Sequence, residues 1–422
     1  MMRSLYSGVS GLKNHQTRMD VVGNNISNVN TTGFKSGRVT FSDTLSQTLS
    51  GASRADAENA LGGTNPKQIG LGSAVSSIDT LFTDGSPQST GNNTDLCLSG
   101  NGLFVVKSGG VNYYTRNGAF KFDEQGNYVN SDGIPVMGWM ADDAGKLNTS
   151  ADIGGIKIPA GKPMAAKSTT TFTYANNLDS TAAIGDAVNT SATVYDSQGG
   201  AHTIPIIITK DSANTWKLSL PTATPYVINE ASGNVNVTFA SNTDLKFTTS
   251  GKYASGSAKL HFTYDDGGTP AKQTAADQDV DIDLKTLTQF SGSSTAYASN
   301  DGNAAGTLKS VSIDSSGVIT GTYTNGVNKA EAQVAVAQFN NAAGLTKEGN
   351  SLYSKSNNSG EPNIKGAKDL GTTITPSALE MSNVDLASEL TDMIVTQRGY
   401  QSNSKIITVS DELLETLIGM KR

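Results

Sequence analysis

Three histidines, one cysteine and a run of alternating aspartates are the residues of this chain best suited to chemistry. Asp277-Gln278-Asp279-Val280-Asp281-Ile282-Asp283 opens like a calcium loop, in which oxygen ligands recur at alternate positions. The sixth position is Ile282, where the sharp turn requires glycine, and the twelfth is Thr288 instead of a bidentate glutamate. The run is better read as a strand, with acids on one face and Val280, Ile282 and Leu284 on the other. His15, His202 and His261 are far apart, and His15 falls in a different unit from the other two, so only folding can bring them to one metal. Otherwise each is a solvated or locally bonded side chain. Cys97, in Leu96-Cys97-Leu98, reads as a small buried hydrophobe; an active thiol, the alternative, has no histidine or basic cluster beside it in sequence. As the single cysteine it also excludes an intrachain disulfide and a CxxC zinc site. Gly100-Asn101-Gly102 precedes a strand instead of opening a helix, which makes it a hairpin turn and not a dinucleotide loop. No Walker, HExxH or GxSxG pattern occurs. The expectation is a non-enzyme with no catalytic, cofactor-binding or metal-ligating residues. A protein of another class, an exported carbohydrate-binding or hydrolytic β-protein, needs a converging acidic pair or an aromatic platform, and the chain has two tryptophans.

The elements that position these residues follow from composition and period. A chain of 422 residues is long for one core and implies two or three domains. Its 45 glycines are well above average usage, while charged residues are only 16% and aromatics 6%, a β-rich, turn-rich and thinly cored composition. The formal charge of −7 argues against nucleic acid as a partner. No apolar run approaches the ~18–20 residues that cross a bilayer, so membrane insertion is not expected. Met1-Met2-Arg3-Ser4-Leu5-Tyr6-Ser7-Gly8 lacks the apolar core of a cleaved secretory signal.

From about residue 71, apolar runs of strand length alternate with turn signals, as in Leu103-Phe104-Val105-Val106 after Asn101-Gly102, and predict antiparallel sandwiches or barrels. In Ile204-Pro205-Ile206-Ile207-Ile208 the proline points to a strand start or an edge strand. Composition shifts near 145 and 286 mark 146–286 as a polar β-domain inserted into a first β-domain of 71–145 and 287–375. Residues 31–70 form a linking segment with one short amphipathic piece (Phe41, Leu45, Leu49). Its Gly/Asn/Ser-rich stretch around 51–66 is either a compliant joint or an ordinary loop.

The two ends read as helices. Leu5, Leu12, Met19 and Ile26 recur every seven residues, and the pattern stops at Asn28-Val29-Asn30-Thr31-Thr32-Gly33. Leu386, Met393, Tyr400, Ile407 and Leu414 form a second such ladder, with Leu390 beside it and Gln397, Ser404 and Asp411 along one edge. Ser382 with Asp385 makes an N-cap and acidic first turn for a helix from about 383 to 419, roughly 55 Å long. Gly399 weakens it by about 1 kcal/mol relative to alanine. Residues 1–30 and 376–422 thus form a terminal coiled-coil domain. Arg3, Lys13, Arg18, Lys35 and Arg38 against Asp20 leave residues 1–40 at +4, whereas 379–422 carry −3, so the ends attract, within a subunit or between neighbours. The ladders serve either an intramolecular helix hairpin or a self-assembly interface; in the second case a head-to-tail contact that does not close generates a helical polymer.

Ser4-Leu5-Tyr6-Ser7-Gly8-Val9-Ser10-Gly11-Leu12, Val22-Gly23-Asn24-Asn25-Ile26-Ser27-Asn28 and Thr32-Gly33-Phe34-Lys35 resemble the N-terminal signature of bacterial flagellar rod and hook proteins. Met381-Ser382-Asn383-Val384-Asp385-Leu386-Ala387 and Gln397-Arg398-Gly399-Tyr400-Gln401-Ser402-Asn403 resemble the matching C-terminal signature. Gln68-Ile69-Gly70-Leu71-Gly72, Leu98-Ser99-Gly100-Asn101-Gly102-Leu103-Phe104 and Tyr114-Thr115-Arg116-Asn117-Gly118 resemble interior segments, in the family's order. The smaller rod proteins of that family lack a large insert, so 146–286 favours a hook-type member; a distal rod, or drive-shaft, protein is the alternative. The resemblance implies a structural subunit that polymerises with itself into a flexible tubular joint transmitting torque from rod to filament, with the terminal helices lining an export channel. It implies rod and hook–filament junction proteins, the hook cap and the type III export apparatus as partners. It also implies location in the basal body and hook, outside the cell, after export without a cleaved signal.

Overall fold

The computed structural model describes residues 2–54, 63–221, 225–230, 233–241, 243–265 and 275–420. Both ends are helical: α1 is Met2–Ser27 and α2 is Leu386–Met420. Between them lie strands, and the chain divides into two compact units. Unit 1 is Met1–Ala160, Val311–Thr320 and Ala330–Arg422; unit 2 is Gly161–Ser310 and Gly321–Lys329.

Helix α1 ends at Ser27, before Asn28-Val29-Asn30. Asn28 donates its backbone N–H and its Nδ2 to the Asn24 carbonyl, closing the last turn. The chain then turns at Gly33, whose φ is +67°. A Cβ there would stand 2.5 Å from the Asn117 nitrogen, which excludes any larger residue. At the start of α2 the cap is Asp385 and not Ser382 as expected. Asp385 Oδ1 accepts from Ala387 N at 3.0 Å and its carbonyl accepts from Glu389 N. Ser382 Oγ instead accepts from Val384 N in the turn before it.

The linking segment is a β-ribbon. Gly37–Asp43 pairs antiparallel with Ser73–Thr80, and Ser46–Ser50 continues it against Lys67–Gly70. Phe41 and Leu49 therefore sit on strands, with Leu45 between them. Of the 51–66 stretch, 55–62 lies outside the described residues, and Ser53 pairs with Thr64 across its base.

The main sheet of unit 1 runs Thr346–Gly349, Leu352–Ser354, Val111–Thr115, Gly102–Ser108, Val336–Gln338 and Asn363–Lys365 in spatial order. Its core gathers Leu103, Val105, Tyr114, Trp139, Phe339 and Tyr353, with the Tyr114 and Phe339 rings edge to face at 4.7 Å.

Unit 2 has one sheet of Tyr226–Glu230, Gly233–Phe239, Ala258–Asp265, Gln278–Phe290, Thr171–Asp179 and Tyr297–Asn300, and another of Ala187–Tyr195, Ala201–Ser212, Thr215–Ser219, Asp244–Phe247 and Tyr253–Ser255. Phe172, Tyr174, Ile206, Trp216, Phe262 and Leu284 are among the side chains sealed within it. The sheets are antiparallel as expected, except that Thr171–Asp179 and Gln278–Phe290 run parallel. The aspartate run is a strand with Val280, Ile282 and Leu284 buried and Asp279 and Asp281 exposed. Pro205 lies inside Ala201–Ser212, but pairing on the second side begins only at Ile207, so the strand is locally an edge where the proline stands.

Unit 2 differs at both bounds from the expected insert of 146–286. Residues 154–158 join unit 1: Gly154–Gly155 pairs with Met137 and Gly138, and Ile156 donates to the Val136 carbonyl. At the other bound, Gln278–Phe290 runs straight through 286, and its last residues pair with Asn176 to Asp179.

Candidate assembly interface

Helices α1 and α2 pack antiparallel. Gly8 lies against Asn403 and Ile407, Gly11 against Asn403, and His15 against Gly399; further along, Arg18 pairs with Asp392 at 2.9 Å and Asn25 donates to Glu389 at 2.9 Å. Glycine makes this approach possible. A Cβ on Gly399 would stand 2.6 Å from the His15 ring, and one on Gly11 2.6 Å from the Asn403 amide. The residue that looked like a weak point of α2 is thus one of the places where the helices come too close for a side chain.

The seam is small and polar. On α2 the buried residues are Thr396 and Ser410; on α1, Gly8, Val22 and Asn25 are buried, while Asn14, also buried, donates to Ser73 of the ribbon. Thr396 Oγ1 and His15 Nδ1 are enclosed there without a hydrogen-bond partner among the described residues. Such a contact holds by shape and contributes little apolar burial. The ladder residues divide accordingly. Leu5, Leu12, Met19 and Ile26 of α1 and Met393, Ile407 and Leu414 of α2 are half-buried. Leu386, Leu390 and Tyr400 remain exposed, at 43%, 49% and 40%. One seam therefore does not collect all the predicted positions: a straight helix drifts by ~20° per seven residues, and the glycines rotate the contact onto Thr396, Gly399 and Asn403. Gln397, Ser404 and Asp411 face outward too.

Acidic and basic ends meet at the base of the pair. Burial pushes the Glu389 carboxyl above its ordinary value, against the hydrogen bond from Asn25 that favours the charged form. Asn25, itself buried, also donates to the Gly37 carbonyl and accepts from Gly37 N, tying α1 to the ribbon.

Below this lies a feature invisible to sequence pattern. Lys35 and Glu380 are fully buried and paired at 2.5 Å; Arg116, also buried, reaches Glu380 and Asp84 at 3.3 Å each. Lys35 Nζ donates to the Thr83 carbonyl, Gly85 N donates to Glu380, and Arg116 donates to the Gly100 carbonyl. Asn383 adds bonds from its Nδ2 to Leu81 and Thr83, and its Oδ1 accepts from Ser36 N. Four segments, 33–36, 81–86, 98–116 and 380–383, are pinned where both helices leave the β-structure. Burial lowers the Lys35 pKa even though Glu380 opposes it, a sign of how dry the site is. Burial, with Glu380 nearby, pushes the Cys97 thiol up to about 11, which leaves it protonated and unreactive at neutral pH.

The histidines go to separate places. His15 is in the helix pair, His202 meets Asp196 at 3.2 Å and His261 meets Asp279 at 2.7 Å. Among the described residues no group of three or more metal-ligating side chains converges, and no helix is long and apolar enough to cross a membrane.

Four family models match the chain: a flagella basal body rod protein model over residues 5–35, a flagellar hook protein FlgE/F/G D1 domain over 97–176, a flagellar basal body protein FlaE D2 domain over 166–303, and a flagellar basal body rod FlgEFG protein C-terminal model over 375–420. The flagellar hook proteins FlgE of Treponema pallidum (strain Nichols) and Borreliella burgdorferi (strain ATCC 35210 / DSM 4680 / CIP 102532 / B31) are each 42% identical over the whole of both chains. The flagellar basal-body rod protein FlgG of Bacillus subtilis (strain 168) is 32% identical, also over the whole of both chains. The chain belongs to the family of flagellar hook and basal-body rod proteins.

Proposed function

We propose that the chain is the structural subunit of the flagellar hook, and that it polymerises through its terminal helices into a tube that bends while carrying torque from rod to filament. The observation that carries this reading is the bareness of α2: over 35 residues it buries only Thr396 and Ser410, while eleven large apolar side chains, Leu386 and Met420 among them, stay exposed in a single copy. Covering their remaining apolar surface stabilises by about 25 cal/mol per Å² removed from water, and further copies are the available cover. The helices form the inner tube; the β-units lie outside it. Contacts between outer units can exchange during rotation because surfaces rich in Asn, Thr and Ser trade hydrogen bonds with water at about 0.5–1.5 kcal/mol each. The hook proteins of Treponema pallidum and Borreliella burgdorferi, at 42% identity, are more similar than the rod protein at 32%, which favours a joint over a drive shaft.

On this reading the rod and the hook–filament junction proteins are the end partners, with the hook cap and the type III export apparatus acting during assembly. The subunit reaches the cell exterior unprocessed. Changing Leu386, Leu390 and Ile394 to Asp tests the assignment: filaments should disappear under the electron microscope, with thermal unfolding of the monomer unchanged. Normal filaments from that variant would refute it. Curved tubes from the unchanged chain support the hook, and rigid straight rods the drive shaft.

A further inference from the structure

The hairpin of Ser46–Ser50 and Lys67–Gly70 is the least covered part of unit 1. Every residue in it is exposed, and the adjoining Leu45 keeps 78% of its surface open, with Leu49 at 56% and Ile69 at 41%. A two-stranded ribbon bare on both faces is marginal in water and needs a third layer. Its location follows from the ribbon it continues. Gly37 bonds Asn25 of α1, Phe41 lies 6.4 Å from His15, Ser73 accepts from Asn14, and Gly72 abuts Ser10 and Ser7. The ribbon therefore climbs α1 toward its N-terminus. Beyond Gly72 the hairpin needs about 16 Å at ~3.3 Å per residue, more than the single turn or so of α1 that remains.

Helix α2 outruns α1 at the same end. Gly8 faces Ile407, so the residues from there to Met420 extend well past Met2. On this stretch Ile406, Val409, Leu413 and Leu417 make one exposed apolar edge at spacings of three and four. This end of the helix pair thus carries two bare edges, the ribbon meeting α1 at Ser7, Ser10 and Asn14 and α2 meeting it at Gly8, Gly11 and His15. Local charges differ where the apolar side chains stand: Lys67 opens the Lys67–Gly70 strand, and Asp411, Glu412 and Glu415 flank Leu413 on α2.

We infer that the 46–50/67–70 hairpin of one copy docks on the distal half of α2, around Leu413, of a second copy. This rests on the self-assembly reading and names the partner surface. The two edges differ from each other, so the contact is heterologous, repeats from copy to copy and leaves both ends open, as a growing tube requires. It also supplies the cover that neither edge finds within one chain.

Copolymers of two single variants, Leu49→Cys and Leu413→Cys, test it with a short bismaleimide; the buried Cys97 serves as the internal control. The mixture should give a covalent dimer whose cross-linked peptide joins 49 to 413, and neither variant alone should. Normal filaments without that cross-link would overturn the contact while leaving self-assembly intact; a chain that forms no filaments at all would overturn both. Independently, Lys67→Glu should raise the concentration for half-polymerisation by about tenfold, and Glu412→Lys should restore it. No change with Lys67→Glu, or no rescue, would count against the charge pairing.

Discussion

Unit 2 and the helix pair are opposite solutions to the same problem. Unit 2 closes on itself: two sheets face each other over a core in which Trp216, Phe172, Tyr174 and Phe262 have no exposed surface. The helix pair leaves eleven large apolar residues of α2 exposed and fully buries little there beyond threonine and serine. The difference separates what must be finished in each molecule from what is finished only among many. A sealed unit can be carried on the outside of a polymer without sticking to its neighbours, whereas a bare helix is stable only in company.

The contrast breaks most sharply at the ionic cluster below the helices. Glu380→Ala leaves Lys35 and Arg116 buried without their carboxylate and should cost about 3–5 kcal/mol of unit 1 stability. Calorimetry should show the transition of unit 1 falling while that of unit 2 stays in place. A mirror experiment, Phe262→Ala, should cost unit 2 about 3–5 kcal/mol and leave polymerisation through the helices possible. Gly399→Ala sharpens the picture of the seam. It gains about 1 kcal/mol of helix propensity but drives a methyl into the His15 ring, at a cost of about 1–3 kcal/mol. The net effect should be a destabilisation of up to about 2 kcal/mol, and adding His15→Ala should recover it; a double-mutant cycle measures the coupling.

The smallest effect expected is a pH dependence confined to unit 2. Burial pushes the Asp301 carboxyl up, but hydrogen bonds from the Thr170 hydroxyl and the Thr170 and Thr171 backbone, together with Lys167, outweigh it and hold the group at about 2. The folded value is below the unfolded one, so the stabilisation is complete above about pH 4 and is lost as pH falls toward 2. Asp301→Asn should flatten that part of the unit 2 melting profile; an unchanged profile would remove Asp301 from the explanation.

The terminal helices were legible because a seven-residue recurrence over several turns has few other causes. Which residues make their seam was not. Gly8, Gly11 and Gly399 look like weaknesses in a helix until the partner's Asn403 and His15 are placed against them. The aspartate run was readable as a strand because Val280, Ile282 and Leu284 alternate with it. The limits of unit 2 were not, because hydrogen-bonded pairing, as between Asn176 and Leu287, leaves no mark on local composition. The cluster of Lys35, Asp84, Arg116 and Glu380 is assembled from four distant segments. Its only local trace is that Lys35 and Arg116 fall inside family-like motifs, and that Asn383 stands in another.

Hydrogen exchange on α2, measured in the monomer and in the polymer, tests most directly whether this helix is completed by other copies. Amides from Leu386 to Met420 should exchange quickly in the monomer and slowly in the polymer, with unit 2 equally protected in both. Protection of α2 in the monomer as strong as in the polymer would contradict it.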